Sequence, residues 1–288
     1  MSALFFAVLS EAKPWLERLQ AKPLSYTGKF RIFQKNSHYI IISGTGKLSM
    51  ALAVSEFAHL ISKSERNQMK VWNLGIAGAT NPELSLGDFF WIHKITDWGS
   101  KRDHYPDRIL KSEFIKETTL TTFDRPITKE KNLDRFQSLT KEELNGIHLV
   151  DMEGSGFFEA ASLYFPLENI TLGKIVSDHL EGKFCQSEDV EVMMSKVSEN
   201  LFEEWTSPLP WIQSDEVETT DWPNVETFIQ NIRLTETMKH DLKKSVRFFR
   251  LRNPNKPLPL PEENAKANLK SKTDLKNYLD EWRAALHV

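Results

Sequence analysis

Three stretches of the chain put carboxylates where α/β proteins do chemistry. Glu11 follows the apolar run Ala3–Leu9 almost at once, Glu153 stands inside Val150-Asp-Met-Glu-Gly154, and Asp178 closes Lys174-Ile-Val-Ser-Asp178. Asn73-Leu-Gly-Ile-Ala-Gly-Ala79 and Leu86-Gly-Asp88 add glycines beside short apolar segments. All of these lie at predicted strand ends or just beyond them, where ligands bind to an open α/β sheet. Carboxylates so placed can exchange protons with a substrate or favour positive charge on it. Taken singly, each has a purely structural explanation. A glutamate opening a helix favours the positive end of its dipole, strand-end glycines serve turns, and an aspartate after a strand caps the next helix. Glu153 resists such an explanation, because an acid between Met and Gly straight after a strand is poorly placed for solvation.

The elements that must position these groups alternate. Ala3–Leu9 reads as a strand buried on both faces, followed by a helix from Glu11 to Leu19 with Ser10 as N-cap, Pro14 in its first turn and Trp15, Leu16 and Leu19 on one side. Phe30–Phe33 and Tyr39–Ser43 read as a strand pair, and Leu48 to Ile61 carries a helical period. Val71–Leu74 and Asp88–Ile92 are further strands, with Gly75 and Gly78 read as punctuation at a strand end. From Thr96 to Leu144 the pattern loosens into a long connection containing a short strand, Thr118–Phe123. Order returns with a strand at Ile147–Val150, a helix at Gly154–Tyr164, a strand at Ile170–Ser177 and a helix at Ser187–Trp205. Strand–helix alternation predicts an α/β sandwich around a parallel or mixed sheet. The composition shifts after Trp205. Residues 207–224 read as a linker and 225–288 as a small helical appendage, with helices at Val225–Arg252 and Thr273–Leu286. An appendage of this size rarely folds alone without staples, so it is expected to pack on the main body, 1–206, or on a second subunit.

Composition narrows the function classes. The 288 residues include 37 basic and 40 acidic side chains, a net charge of −3 that gives no global argument for nucleic acid or anionic lipid. The single cysteine, Cys185, excludes an intramolecular disulfide framework and a cysteine-based zinc cluster. No apolar run approaches the roughly 20 residues of a membrane span. The eight histidines are scattered without metal-ligand spacing, so no metal and no cofactor is expected. A cytoplasmic protein fits this composition. One run departs from neutrality: seven basic residues from Lys239 to Lys256, including Lys243, Lys244, Arg247, Arg250 and Arg252, face a single acid, Asp241. A solvated face explains such a run more cheaply than nucleic-acid binding does.

As a set and in this order, the motifs resemble the nucleoside phosphorylase superfamily, in the branch of 5′-methylthioadenosine/S-adenosylhomocysteine nucleosidases and futalosine hydrolases. The resemblance rests on Asp151-Met-Glu-Gly154 with Ser43-Gly-Thr-Gly-Lys47, Gly75-Ile-Ala-Gly78, Leu86-Gly-Asp88 and Ser177-Asp178, and covers about residues 3–205. It implies a three-layer α/β/α sandwich with a central mixed sheet, assembled as a homodimer or higher homo-oligomer. It also implies cleavage of an N-glycosidic bond in a small-molecule purine nucleoside. On this resemblance Asp178 is the acid at purine N7, Glu11 the base that activates water, and Glu153 the ligand of the ribose hydroxyls, with Met152 against the sugar. Ile76, Ala77 and Gly78 line the pocket, and Phe123 stacks on the purine.

Departures from the family pattern bear on the nucleoside and the nucleophile. Ser43–Lys47 carries no arginine, so a phosphate dianion would lack a guanidinium fork and water is the better nucleophile. Lys174 stands where the nucleosidases carry arginine, as a point charge able to orient that water. Ile76 replaces a small hydroxyl residue, and Gly75-Ile-Ala-Gly78 is closer to the futalosine-hydrolase form. The interval from Glu153 to Asp178 is slightly long, which an insertion near Tyr164–Glu168 absorbs. Two alternatives follow: phosphorolysis of the same bond, or a catalytically silent nucleoside-binding scaffold in which Ile76 and Lys174 record lost chemistry.

Overall fold

The computed structural model describes residues 1–106, 116–129, 137–140, 142–183, 185–209, 221–230, 232, 234–253, 256–261 and 272–286. The chain divides into two compact units, Met1–Leu209 and Pro210–Val288.

The first unit contains β1 (Ser2–Phe6), β2 (Lys22–Pro23), β3 (Arg31–Lys35), β4 (His38–Ile42), β5 (Lys70–Ala79), β6 (Phe89–Asp97), β7 (Asp103–His104), β8 (Lys116–Thr122), β9 (Ile127–Thr128), β10 (Gln137–Ser138), β11 (Leu149–Asp151) and β12 (Ile170–Asp178). All but β9 and β10 join one mixed sheet in the order β11-β8-β6-β12-β5-β1-β4-β3-β2, with β7 on β6. β5 runs parallel to both β1 and β12, while β11 turns back to pair antiparallel with the far end of β5 at Gly78 and Ala79. That last pairing partly closes the sheet on itself.

Period-2 alternation sorts the side chains to two faces. Ala3 and Phe5 of β1 pack with α2 (Lys47–Leu60) and α4 (Gly154–Tyr164), and the short α3 (Lys63–Gln68) leads from α2 into β5. Leu4 and Phe6 pack on the opposite side with Trp15 of α1 (Leu9–Leu19) and with Val190 and Trp205 of α5 (Ser187–Thr206). This is the expected three-layer α/β/α sandwich, and a strand buried on both faces accounts for the unbroken apolar run.

Local expectations fail at three places. Ser10 is no cap, because α1 already begins at Leu9 behind Val8, whose N–H is satisfied by the Glu11 carboxylate at 3.1 Å. Gly75 and Gly78 do not end a strand but lie inside β5, for reasons of space given below. The strand expected at Thr118–Phe123 does form, as β8, and it pairs between β6 and β11 in the main sheet. The helix expected over Val225–Arg252 is two, α6 (Trp222–Ile229) and α7 (Glu236–Arg252), the second begun by Thr235, whose side chain accepts from the Met238 N–H.

In the second unit α6 and α7 join α8 (Lys272–Leu286) around Val225, Leu242, Val246 and Trp282, whose indole N–H donates to the Pro259 carbonyl at 2.7 Å. Part of the basic run is absorbed in this packing. Arg250 forks onto Asp221 at 2.6 and 2.7 Å, and the Lys243 ammonium sits 5.4 Å from the Trp222 ring centre. The side chains of Lys244 and Arg252, and residues 210–220 of the expected linker, lie outside the described residues. Among the described residues no helix is long and apolar enough to cross a membrane.

Candidate active site

The turn from β1 into α1 carries Glu11 to the edge of β5. Its side chain is buried, and three backbone donors converge on it: Oε2 accepts from Ala7 at 2.9 Å and Val8 at 3.1 Å, and Oε1 from Ile76 at 3.0 Å. A carboxylate offers about four acceptor positions, so one remains, on Oε1. Burial pushes the Glu11 carboxyl above the ordinary glutamate value, against the pull of those N–H groups and of Lys174. Gly75 makes this arrangement possible. A Cβ there would stand 2.9 Å from Glu11 Oε1 and 3.3 Å from Lys174 Nζ.

Beneath the acids lies a buried ion pair. Lys174, in the middle of β12 and 1% exposed, contacts Asp151 Oδ2 at 2.9 Å. Asp151 also accepts from the Thr122 hydroxyl at 2.7 Å and the Gly154 N–H at 2.8 Å. Burial pulls the Lys174 ammonium down, but the charges of Asp151, Glu153 and Glu11 outweigh it and hold the group above the ordinary lysine value. Glu153 precedes α4, and its Oε1 accepts from Gly46 at 2.7 Å, so the glycine loop after β4 is tied to the α4 N-terminus. Gly46 has φ 97°, a left-handed conformation that favours glycine. Glu153 Oε2 carries no hydrogen bond among the described residues. Burial and the Asp151 charge push the Glu153 carboxyl up to about 7, against Lys174 and the Gly46 N–H. The next residue of the loop, Lys47, is held by Asp97 at 2.6 Å and Asp124 at 3.1 Å.

Asp178 ends β12 beside Gly78 of β5. Its Oδ1 accepts from the Leu180 N–H at 2.9 Å and its Oδ2 from the Ser177 hydroxyl at 2.7 Å. Leu180 has φ 63° and turns the chain back, with its side chain packed over Gly78, where any Cβ would strike it.

These pieces open on one cavity of about 350 Å³, lined by Glu11, Ile76, Ala77, Gly78, Met152, Glu153 and Asp178 among others. Two expected site residues are placed differently. Phe123 is fully buried, stacked on Trp98 at 4.9 Å between ring centres, and packed with Ile127 and Leu180 rather than lining the cavity. Its backbone N–H bonds the Asp151 carbonyl, extending the pairing of β8 with β11 and turning the ring into the core. Lys174 does not line the cavity either; its ammonium contacts Asp151, which does. Arg102 and His104 face Glu159 of α4, at 3.7 and 3.2 Å.

The cavity also holds residues that the sequence reading passed over. Arg125 and Lys183 line it, and Asp151 anchors its floor. The strand-end rule that singled out Asp178 also fits Arg125, which follows β8 by three positions. Lys183 lies in the turn that Asp178 opens. Among the described residues no cluster of three or more His, Cys, Asp or Glu is placed to hold a metal ion.

No family model matches the chain, and neither does any curated protein. Solved structures do. The chain resembles the 5′-methylthioadenosine nucleosidase of Arabidopsis thaliana with TM-score 0.57 and 15% identity, over 72% of this chain and 97% of that one. It resembles the 5′-methylthioadenosine/S-adenosylhomocysteine nucleosidase of S. pneumoniae, solved with a transition-state inhibitor, with TM-score 0.53 and 17% identity, over 69% and 96% of the two chains. For the Helicobacter pylori enzyme of the same name, solved with butyl-thio-DADMe-Immucillin-A, the values are 0.53 and 16%, over 70% and 97%. The chain therefore has the fold of the 5′-methylthioadenosine/S-adenosylhomocysteine nucleosidases, a nucleoside phosphorylase-type α/β/α fold.

Proposed function

We propose that the chain hydrolyses the N-glycosidic bond of a purine nucleoside. The observation that carries this reading is the convergence of Glu11, Glu153 and Asp178, from three separate strand ends, on one cavity. Breaking such a bond leaves the sugar oxocarbenium-like while negative charge moves to the departing base. Asp178 meets the base and supplies the proton or hydrogen bond that lets it leave. Glu153 holds the ribose hydroxyls and, ionised, favours the positive sugar, with Met152 against the ring. Glu11 takes a proton from water through its remaining acceptor position. Lys174 is a positioning residue, a fixed positive charge that lets several carboxylates share a small volume. The expected homo-oligomer belongs to the same reading. Leu48 and Leu52, one helical turn apart on α2, are 73% and 48% exposed, and light scattering that found only monomer would remove it.

The test is base release from methylthioadenosine, S-adenosylhomocysteine, futalosine, adenosine and inosine, each with and without phosphate. Release without phosphate is expected. Release that requires phosphate would make the chain a phosphorylase. Nucleoside binding without release from any of them would make it a silent binding protein. With a substrate in hand, Asp178→Asn is expected to lower kcat by roughly 10²–10⁴-fold with little change in nucleoside affinity. Full activity in that variant would remove the leaving-group assignment.

A further inference from the structure

Behind the cavity wall one carboxylate reaches both of the segments that hold Glu153. Asp97 ends β6, is 6% exposed and does not line the cavity. Its Oδ2 accepts from the Lys47 ammonium at 2.6 Å and from the Ser155 hydroxyl at 3.0 Å, and its Oδ1 accepts from the Ser100 N–H at 2.7 Å. The two partners of Oδ2 lead to Glu153 by separate routes. Lys47 follows Gly46, whose N–H donates to Glu153 Oε1 at 2.7 Å. Ser155 stands two residues after Glu153, in the first turn of α4. A single oxygen thus ties the backbone that carries Glu153 to the backbone that grips its side chain.

The chain of contacts continues beneath the other acids. The Ser155 N–H donates to the Thr122 hydroxyl oxygen at 3.0 Å, the Thr122 hydroxyl donates to Asp151 Oδ1 at 2.7 Å, and Asp151 Oδ2 contacts Lys174 at 2.9 Å. Ser155 and Thr122 are buried, so these bonds do not compete with bulk solvent. Burial pushes the Asp97 carboxyl up, but the hydrogen bonds from Lys47, Ser100 and Ser155 outweigh it and hold the group below the ordinary aspartate value. Lys47 has a second carboxylate partner, Asp124 at 3.1 Å, but that side chain is 68% exposed, and an exposed pair holds its members weakly.

We infer that Asp97 is a positioning residue for Glu153, which sets the span between the glycine loop after β4 and the start of α4 and so aims the carboxylate into the cavity. That the target there is a ribose rests on the nucleosidase reading; the hold on Glu153 rests on the geometry alone.

The experiment compares the full chain with its Asp97→Asn and Ser155→Ala variants, the second of which removes one tie and leaves every charge in place. On a nucleoside that the parent hydrolyses, kcat/KM is expected to fall by roughly tenfold in Ser155→Ala, the loss of one hydrogen bond, and by roughly a hundredfold in Asp97→Asn, the scale of a displacement near 1 Å. The deciding readout is pH, which a merely structural role would not move. Glu153 faces Asp151, Lys174, Glu11 and the Gly46 N–H. A loosened loop withdraws the N–H, a partner of the ionised form, and leaves the three charges. The midpoint of kcat/KM against pH is therefore expected to move upward from about 7, by roughly one pH unit. A midpoint that stays or moves down in both variants overturns the proposal. If Asp97→Asn does not fold, Ser155→Ala decides alone. If no nucleoside releases its base, the same change is read in the melting temperature, whose fall toward pH 7 should continue to higher pH in Ser155→Ala. In a Glu153→Gln background Ser155→Ala should no longer alter the pH dependence. That pair of results upholds the positioning role while the hydrolytic reading falls. A melting temperature lowered equally at every pH in both backgrounds overturns it, leaving Asp97 and Ser155 to hold the fold and nothing more.

Discussion

Glu153 gives pH a direct hold on the stability of this molecule. Its carboxyl is pushed from the ordinary 4.5 to about 7, so the folded protein holds this proton more tightly than the unfolded chain. Stability contributed by that proton is complete below 4.5 and is lost as pH rises to about 7. The melting temperature is expected to fall across this window, and Glu153→Gln to flatten the slope; a parent profile with no slope there would contradict it. On the proposed hydrolytic reading, activity should run the other way, with kcat/KM rising through about 7 as Glu153 ionises. Gly75 gives a second expectation. Its missing Cβ is occupied in effect by Glu11 Oε1, and three backbone donors leave that carboxylate little room to move. Gly75→Ala should lower kcat by about a hundredfold, as a misplacement near 1 Å does, with a small change in melting temperature. The acids themselves were legible because carboxylates after apolar runs have few structural uses in combination. Arg125 and Lys183 were not, since exposed cations in loops look alike in sequence until the chain shows which ones border a cavity.

The strands and helices of the first unit were legible where burial repeats with a fixed period. β1 alternates Ala3 and Phe5 against Leu4 and Phe6 across the sheet, and α4 spans Gly154–Tyr164 as its pattern predicts. Glycines misled, because one residue type serves both turns and close approach. Gly75 and Gly78 read as punctuation, yet β5 runs through both, since β12, β11 and α1 bring side chains too near for a Cβ. Phe123 misled for a related reason: a strand's last aromatic faces the core or a ligand according to one step of register. Gly156 is a further case. Its added Cβ would overlap the Lys47 backbone, so α4 crosses the start of α2 at glycine. Gly156→Ala is expected to cost about 1–3 kcal/mol in denaturant unfolding through overpacking. The same variant should weaken activity, because the displaced loop carries the Gly46 N–H that holds Glu153. An unchanged unfolding midpoint would show that the crossing relaxes freely.

At the scale of the whole chain, the two units keep separate cores: every described member of the cluster around Val225 and Trp282 comes from the second unit, and every residue of the cavity from the first. Calorimetry is expected to show two unfolding transitions. Trp282→Ala, which removes a 2% exposed indole, should lower one by about 3–5 kcal/mol and leave the other and base release in place. A single transition that moves as a whole would show that the units melt together. The composition shifts after Trp205, whereas the break between α6 and α7 leaves no such mark, because the apolar period continues across it. The placement of β5 also has a consequence in time. Val71 pairs on one side with Ala3 and on the other with Ile170. As the chain leaves the ribosome, β5 finds its first neighbour early but waits for its second until most of the first unit has been synthesised. Until then it offers an open edge of the kind that invites aggregation, and pairings this distant in sequence fold slowly. The carboxylates of the site, spread from Glu11 to Asp178, cannot meet before that edge is filled, so a nascent chain stalled before β12 would carry most of the fold's residues and none of its chemistry.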